Sequence, residues 1–270
     1  MFASVALAAR IEHAEAKLTR ALAAGAVEPP PLVRDLAGGV SAVTRPGSPL
    51  NKIIGLGFDG EIEEHALAAA ESDWRERREP VRIELSTLAA PSIATYLTTR
   101  GYRLLGFENV LGLSVESRPA APSAAIAVEA VHQGDDASWL ETIVTGFAHP
   151  DGTGVTSQEI PREALAPIIE DFRRAPGMTR CLARIDGEPA GAASMRLETG
   201  IAQLCGATTL PRFRRRGVQR ALLDARLAWA REAGCDIAVI TTAPGSQSQA
   251  NVQKQGFALI YARAVLVRQW

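Results

Sequence analysis

The stretch Leu210-Pro-Arg-Phe-Arg-Arg-Arg-Gly-Val-Gln-Arg-Ala-Leu-Leu223 decides how this chain is read. It follows a strand-like run from Ile201 to Leu210 and opens a helix-like run that ends near Ala233-Gly234. The first turn of a helix presents backbone N–H groups with no partner inside the helix, and the helix dipole adds partial positive charge there. Such a turn binds anions, and phosphate is its natural ligand. Arg212, Arg214, Arg215, Arg216 and Arg220 place cations where a polyphosphate would lie. Gly217 permits close backbone approach or a positive φ. An isolated Arg run reads as a solvated face, whereas strand, turn and helix in succession read as an anion site. The dinucleotide fingerprint and the Gly-Lys-Ser/Thr of a P-loop are both absent from the sequence.

With 270 residues the chain is long enough for two domains. A net charge of -1 gives no whole-molecule attraction to nucleic acid or an anionic membrane, so the Arg cluster is local and suits a small anionic cofactor. Cys181, Cys205 and Cys235 have no metal-ligand spacing, and no metal is expected. Being odd in number they cannot all pair internally, which points to a reduced, cytoplasmic compartment. No apolar run is long enough to span a bilayer. The start lacks a basic region ahead of its apolar residues and reads as an amphipathic helix through about Ala24.

The Pro-Ala segment Arg118–Ala125 reads as a linker. After it come a strand from Ala125, a helix capped by Asp135 or Asp136, a Gly-containing loop His149–Gly154, and a helix over about Pro161–Arg174. Asp186-Gly187 marks a hairpin between the strands Thr179–Ile185 and Pro189–Leu197. Ile237–Thr242 is a short apolar strand, and a terminal strand Ala262–Val267 is expected to complete the second unit. Periodicity alone gives an α/β or α+β fold.

Arg214-Arg-Arg-Gly217-Val-Gln219 resembles the GNAT family of acyl-CoA-dependent N-acetyltransferases, whose strand leads through Gln/Arg-x-x-Gly-x-Gly/Ala into a helix. Gln219 stands where the family carries a small residue. Downstream, Ser248-Gln-Ala-Asn251-Val-Gln-Lys-Gln-Gly256-Phe257 is similar to the family's late helix ending in Gly-Phe. The resemblance covers about residues 125–270 and implies a mixed, mostly antiparallel sheet flanked by helices. It implies that Thr208 and Leu210 meet the pantetheine arm of acetyl-CoA through their backbone. It also implies that the amides of Arg215, Arg216, Gly217, Val218, Gln219 and Arg220 face the pyrophosphate, and that the Asn251 amide reaches the cofactor. The first half repeats the order strand, helix, strand, helix, Gly-aromatic, strand, so two tandem GNAT-like domains are expected: 1–118, a linker 119–125, and 126–270. A helical and sheet cap of unrelated ancestry is the other reading of residues 1–118. In place of the Arg-rich turn that half carries Asp59-Gly-Glu-Ile-Glu-Glu-His65, which repels pyrophosphate. One acyl-CoA per chain is expected, with the first half as a structural partner.

The implied reaction moves acetyl from acetyl-CoA to a primary amine of a small molecule or to a protein amino group. The catalytic residues stay unassigned. Many family members carry a Tyr acid on the late helix, and Val252 stands at or close to that position. Glu198 in a turn, His149 in a loop and Cys205 on a strand read as incidental or structural. A non-catalytic acyl-CoA-binding or sensor protein is the alternative.

Overall fold

The computed structural model describes residues 3–117, 126–132, 134–149 and 162–270. The expected linker at 118–125, most of the His149–Gly154 loop and the helix start at Pro161 lie outside them. In chain order the elements are α1 (Val5–Ala24), β1 (Leu32–Leu36), β2 (Gly39–Val43), β3 (Lys52–Ile54), α2 (Glu64–Glu76), β4 (Val81–Ser86), α3 (Pro91–Thr99) and β5 (Arg103–Ser114). There follow β6 (Ala127–Ala130), α4 (Asp136–Ala148), α5 (Arg162–Arg174), β7 (Met178–Ile185), β8 (Glu188–Glu198), β9 (Ile201–Thr209), α6 (Val218–Glu232), β10 (Ile237–Thr242), α7 (Gln247–Lys254) and β11 (Ala258–Arg268). No helix among the described residues is long and apolar enough to cross a membrane. Both sets of elements form a mixed, mostly antiparallel sheet flanked by helices.

The described residues divide into two compact units. The first holds the chain up to Val110 together with 174–176 and 259–270; the second holds Leu111–Arg173 and Gly177–Ala258. In the first unit β1, β2 and β3 run antiparallel, β4 joins β3 in parallel, and β11 pairs antiparallel with β4 from Arg263↔Ser86 to Arg268↔Val81. The terminal strand, expected to complete the second unit, therefore lies in the sheet of the first. Its alternation supplies the reason. Leu266 and Ala264 pack into the core of Ile53, Leu67, Trp74, Ile83, Ile93 and Leu97, while Arg263 is turned to the opposite face and is fully buried against α1.

That opposite face holds a buried network of charges. Glu12 on α1 accepts from Tyr261 Oη and from Arg263 Nε, both at 2.7 Å. Lys52 reaches Glu84 at 3.0 Å and Glu15 at 3.3 Å, and Arg82 reaches Glu84 and Glu108, each at 3.0 Å. Burial alone would raise the Glu84 pKa, but Lys52, Arg263 and Arg82 outweigh it and hold that carboxyl down to about 2.

In the second unit β6, β7, β8 and β9 run antiparallel. The β7–β8 hairpin turns through Asp186 (φ 51°) and Gly187 (φ 81°), as the left-handed turn demands of Asp-Gly. β10 lies parallel to β9 only over Ile201–Gln203 against Ile237–Val239, so the register ends while β9 runs on to Thr209. Leu223, Leu227 and Ala230 of α6 pack with Met195, Leu204 and Phe257 in one core cluster. Val218, Ala221 and Leu222 pack with Cys181, Ala193 and Ile126 in another.

Candidate acyl-CoA site

Between β9 and α6 the chain passes a short turn of 3-10 helix, Pro211–Phe213, then Arg215 at φ 61° and Gly217 at φ 88°. Gly217 is the N-cap of α6, and no side chain caps it. The Ala221 N–H is bonded to the Gly217 carbonyl at 3.0 Å, so the N–H groups of Val218, Gln219 and Arg220 precede the first helical bond. A Cβ on Gly217 would approach only Ile126 Cδ1, at 3.8 Å. The left-handed backbone, rather than lack of space, is what calls for glycine there.

The turn opens onto a cleft of about 850 Å³ lined by Thr209, Pro211, Arg214, Arg215, Gly217, Val218, Gln219, Arg220 and Leu223 on one side. Gln247, Asn251, Val252, Lys254 and Gln255, at and just beyond α7, line the other. Six expected residues thus share one cleft: Arg215, Gly217, Val218, Gln219, Arg220 and Asn251. Thr208, Leu210 and Arg216 lie outside its lining. Thr208 packs its side chain on α4, where a Cβ on Gly146 would fall 2.1 Å from Thr208 Oγ1. The Leu210 N–H donates to the Ala190 carbonyl at 3.0 Å, and its side chain joins the core. The guanidinium groups of Arg212 and Arg216 lie over the Phe213 ring, at 4.9 and 5.4 Å from its centre. Arg214 donates to the His149 carbonyl, and Arg220 lies 3.5 Å from Asp224.

Asn251 is engaged at both ends of its amide. Its Nδ2 donates to Gln219 Oε1 at 2.9 Å, and its Oδ1 accepts from Gln247 Nε2 at 2.8 Å. Gln219, at the position where a small residue was expected, thereby joins α6 to α7. Gln247, Lys254 and Gln255 were missed in the sequence, although Gln247, Asn251, Lys254 and Gln255 fall on one helical face by their spacing. Uncapped N–H groups, Arg215, Arg220 and Lys254 around one cleft suit the pyrophosphate of an acyl-CoA.

Beside the cleft, β9 carries a bulge. Ala192 pairs with Thr208 and Ser194 with Cys205, so Gly206 and Ala207 together oppose the single residue Ala193. Gly206 has φ 55°. The bulge sits in the part of β9 that has run past its pairing with β10.

Residues 148–257 match the acetyltransferase (GNAT) family. This segment belongs to the GNAT acetyltransferases. Solved structures agree in fold across both units. A GCN5-related N-acetyltransferase from Kribbella flavida is 16% identical, with a TM-score of 0.63 over 96% of this chain and 95% of that one. A tandem GNAT protein from the clavulanic acid biosynthesis pathway is 12% identical, with a TM-score of 0.62 over 97% and 93%. A GCN5-related N-acetyltransferase from Sphaerobacter thermophilus is 15% identical, with a TM-score of 0.54 over 76% and 66%. No curated protein matches the chain in sequence.

Within the GNAT domain the weak catalytic candidates separate by position. Glu198 pairs with Arg196 at 2.9 Å and stands opposite Ile201, at the closed end of β9. Five residues of strand, roughly 16 Å, divide that end from Gly206. His149 Nδ1 bonds the Thr145 carbonyl at 2.9 Å at the end of α4. Val252 is buried in the apolar core. Burial pushes the Cys181 thiol up to about 11, which makes it inert near neutral pH. None of the three cysteines forms a disulfide. Among the described residues no cluster of His, Cys, Asp or Glu could hold a metal ion.

Proposed function

We propose that the chain transfers acetyl from acetyl-CoA to a primary amine, on a small molecule or a protein, with the cofactor held by the second unit. The observation that carries this reading is the uncapped, left-handed start of α6 at Gly217, facing a cleft with Arg215, Arg220 and Lys254. The amides of Val218, Gln219 and Arg220 hold the pyrophosphate, and the opening between β9 and β10 takes the pantetheine arm.

The bound cofactor supplies a thioester whose carbon accepts the amine. A C–N bond forms, the C–S bond breaks, the amine proton passes to solvent, and coenzyme A leaves as the thiolate. The chain's part is to hold the cofactor and to offer donors to the negative charge that grows on the carbonyl oxygen. A β-bulge leaves the backbone of its extra residue outside the ladder. The N–H groups at Gly206 and Ala207 therefore serve as the donors. With Val252 in the core, no tyrosine acid stands at that place, and the thiolate leaves unaided.

Titration calorimetry with acetyl-CoA tests the cofactor, and a screen of amines with detection of released thiol tests the reaction. No binding at millimolar acetyl-CoA would remove the reading. Binding without thiol release from any amine would favour an acyl-CoA sensor, for which the apolar Val252 speaks. We place the protein in the cytoplasm, in keeping with its three unbridged cysteines.

A further inference from the structure

The bulge in β9 is braced from both faces of its sheet. Ala193, the β8 residue opposite the extra residue, has a carbonyl that accepts from Trp139 Nε1 of α4 at 3.2 Å. The next carbonyl, of Ser194, accepts from Arg226 Nη1 of α6 at 3.1 Å. The two helices lie on opposite faces. Gly191 lets α6 approach, since a Cβ there would lie 2.6 Å from Val218 Cγ1, while Thr208, paired with Ala192, packs against α4. Trp139 is 0% exposed and Arg226 is 3% exposed.

A buried guanidinium is costly, and an apolar side chain of similar size commonly packs as well or better. No carboxylate pairs with Arg226 among the described residues; its other bond, from Nε, goes to the Leu222 carbonyl of its own helix at 3.0 Å. Burial holds its pKa below the usual arginine range. An ion kept in the interior to donate to one strand carbonyl, directly at a register shift, is a device for holding that shift in place.

We propose that Trp139 and Arg226 are positioning residues for acetyl transfer. By fixing the Ala193 and Ser194 carbonyls they hold the β9 bulge in the geometry that presents the Gly206 and Ala207 N–H groups to the thioester. This rests on the acetyl-CoA reading of the second unit. Arg226 sits on the helix whose first turn forms the anion site, so one rigid element sets both ends of the cofactor.

Three variants test it: Trp139→Phe, which keeps a ring and removes the donor, Arg226→Met and Arg226→Lys. Amide hydrogen exchange on the protein alone is read at the paired residues on either side of the bulge, Leu204, Cys205, Thr208 and Thr209. The infrared carbonyl band of bound carbonyl-labelled acetyl-CoA is read beside the cofactor Kd. We expect Trp139→Phe and Arg226→Met to speed exchange about tenfold or more, and to move the carbonyl band toward its position in free acetyl-CoA. Kd should stay within about twofold, because the phosphate contacts are intact. Arg226→Lys should recover part of both readouts. Wild-type exchange and an unmoved band in a folded Trp139→Phe protein would overturn the proposal, even if Arg226→Met does not fold. If wild-type protein failed to bind acetyl-CoA, the cofactor reading would fall, and exchange at Leu204, Cys205, Thr208 and Thr209 would still decide the brace.

Discussion

The two units solve the same junction, parallel strand to helix, with opposite chemistry. In the second unit the turn after β9 ends in Gly217, leaves the α6 N-terminus uncapped, and faces α7 across an open cleft. In the first unit the turn after β3 carries Asp59, Glu61, Glu63 and Glu64, and it is closed against the start of α3. The Ala90 N–H donates to the Gly57 carbonyl at 2.9 Å, Ser92 Oγ donates to Glu61 at 2.9 Å, and a Cβ on Gly57 would strike Ala89 at 2.6 Å. Acidic charge and the Gly57–Ala90 contact both set this turn apart from the one at Gly217. The comparison extends to the interiors. Beside the bulge the second unit buries one cation, Arg226, bonded to backbone carbonyls, whereas the first has the buried cluster of Glu12, Lys52, Glu84, Tyr261 and Arg263. Topology repeats; the capacity to hold an acyl donor does not follow from it.

The harshest way to break this contrast is Arg263→Met. It leaves Glu12 with a buried, uncompensated charge, and the first unit should lose about 3–5 kcal/mol. A urea melt checks the stability. Acetyl-CoA affinity, if it belongs to the second unit alone, should stay where it was in protein that remains folded.

Acid should attack the same cluster. The Glu84 pKa is depressed to about 2 in the fold, while an unfolded glutamate titrates near ~4.3. The stabilisation is complete above the unfolded value and is lost as pH falls toward the folded one. Urea midpoints should therefore decline between about pH 5 and pH 2. Glu84→Gln should flatten that decline; an unchanged slope would remove Glu84 as its source.

Gly217→Asp probes the second junction. It adds a negative charge at the anion site and a side chain at φ 88°. Acetyl-CoA affinity should weaken roughly ten- to a hundredfold, the worth of one charged contact of about 1.5–3 kcal/mol. Calorimetry that finds less than a twofold change, in folded protein, would move the cofactor elsewhere.

The smallest expected effect sharpens the comparison most. Reversing charge in the first turn, with Asp59→Arg and Glu63→Arg together, should leave the calorimetric stoichiometry at one acetyl-CoA per chain. The Gly57–Ala90 contact still fills the space. A second bound cofactor would show that charge alone separated the two junctions.

Local features were legible in the sequence, and distant ones were not. The Gly217 turn could be read because a left-handed glycine, a helix start and an arginine run are neighbours in the chain. The direction of each arginine could not, since Phe213 draws the Arg212 and Arg216 guanidinium groups over its ring. A terminal strand over Ala262–Val267 was legible, but a strand pattern says nothing of which sheet receives it. The Glu12–Arg263 pair, separated by 251 residues, leaves no local trace. Gly206 alone could not announce a bulge, because the residues that brace it, Trp139 and Arg226, lie on helices far from it in sequence. Asn251 was found by motif, but its commitment to Gln219 and Gln247 depends on α6 and α7 lying side by side.

The pairing of β11 with β4 bears on how the polypeptide is made. Synthesis runs from the N-terminus, and domains ordinarily fold as they emerge. Here β4 waits for a neighbour, and Glu12 for its counter-charge, until residues 258–268 have been added to the chain. Until then the ribosome carries a first unit with one strand edge bare and an acidic side chain uncompensated inside it. Contacts this far apart in sequence are slow to form and leave such edges open to other chains. Residues 259–268 thus act as the closing latch of a domain whose synthesis began some 250 residues earlier.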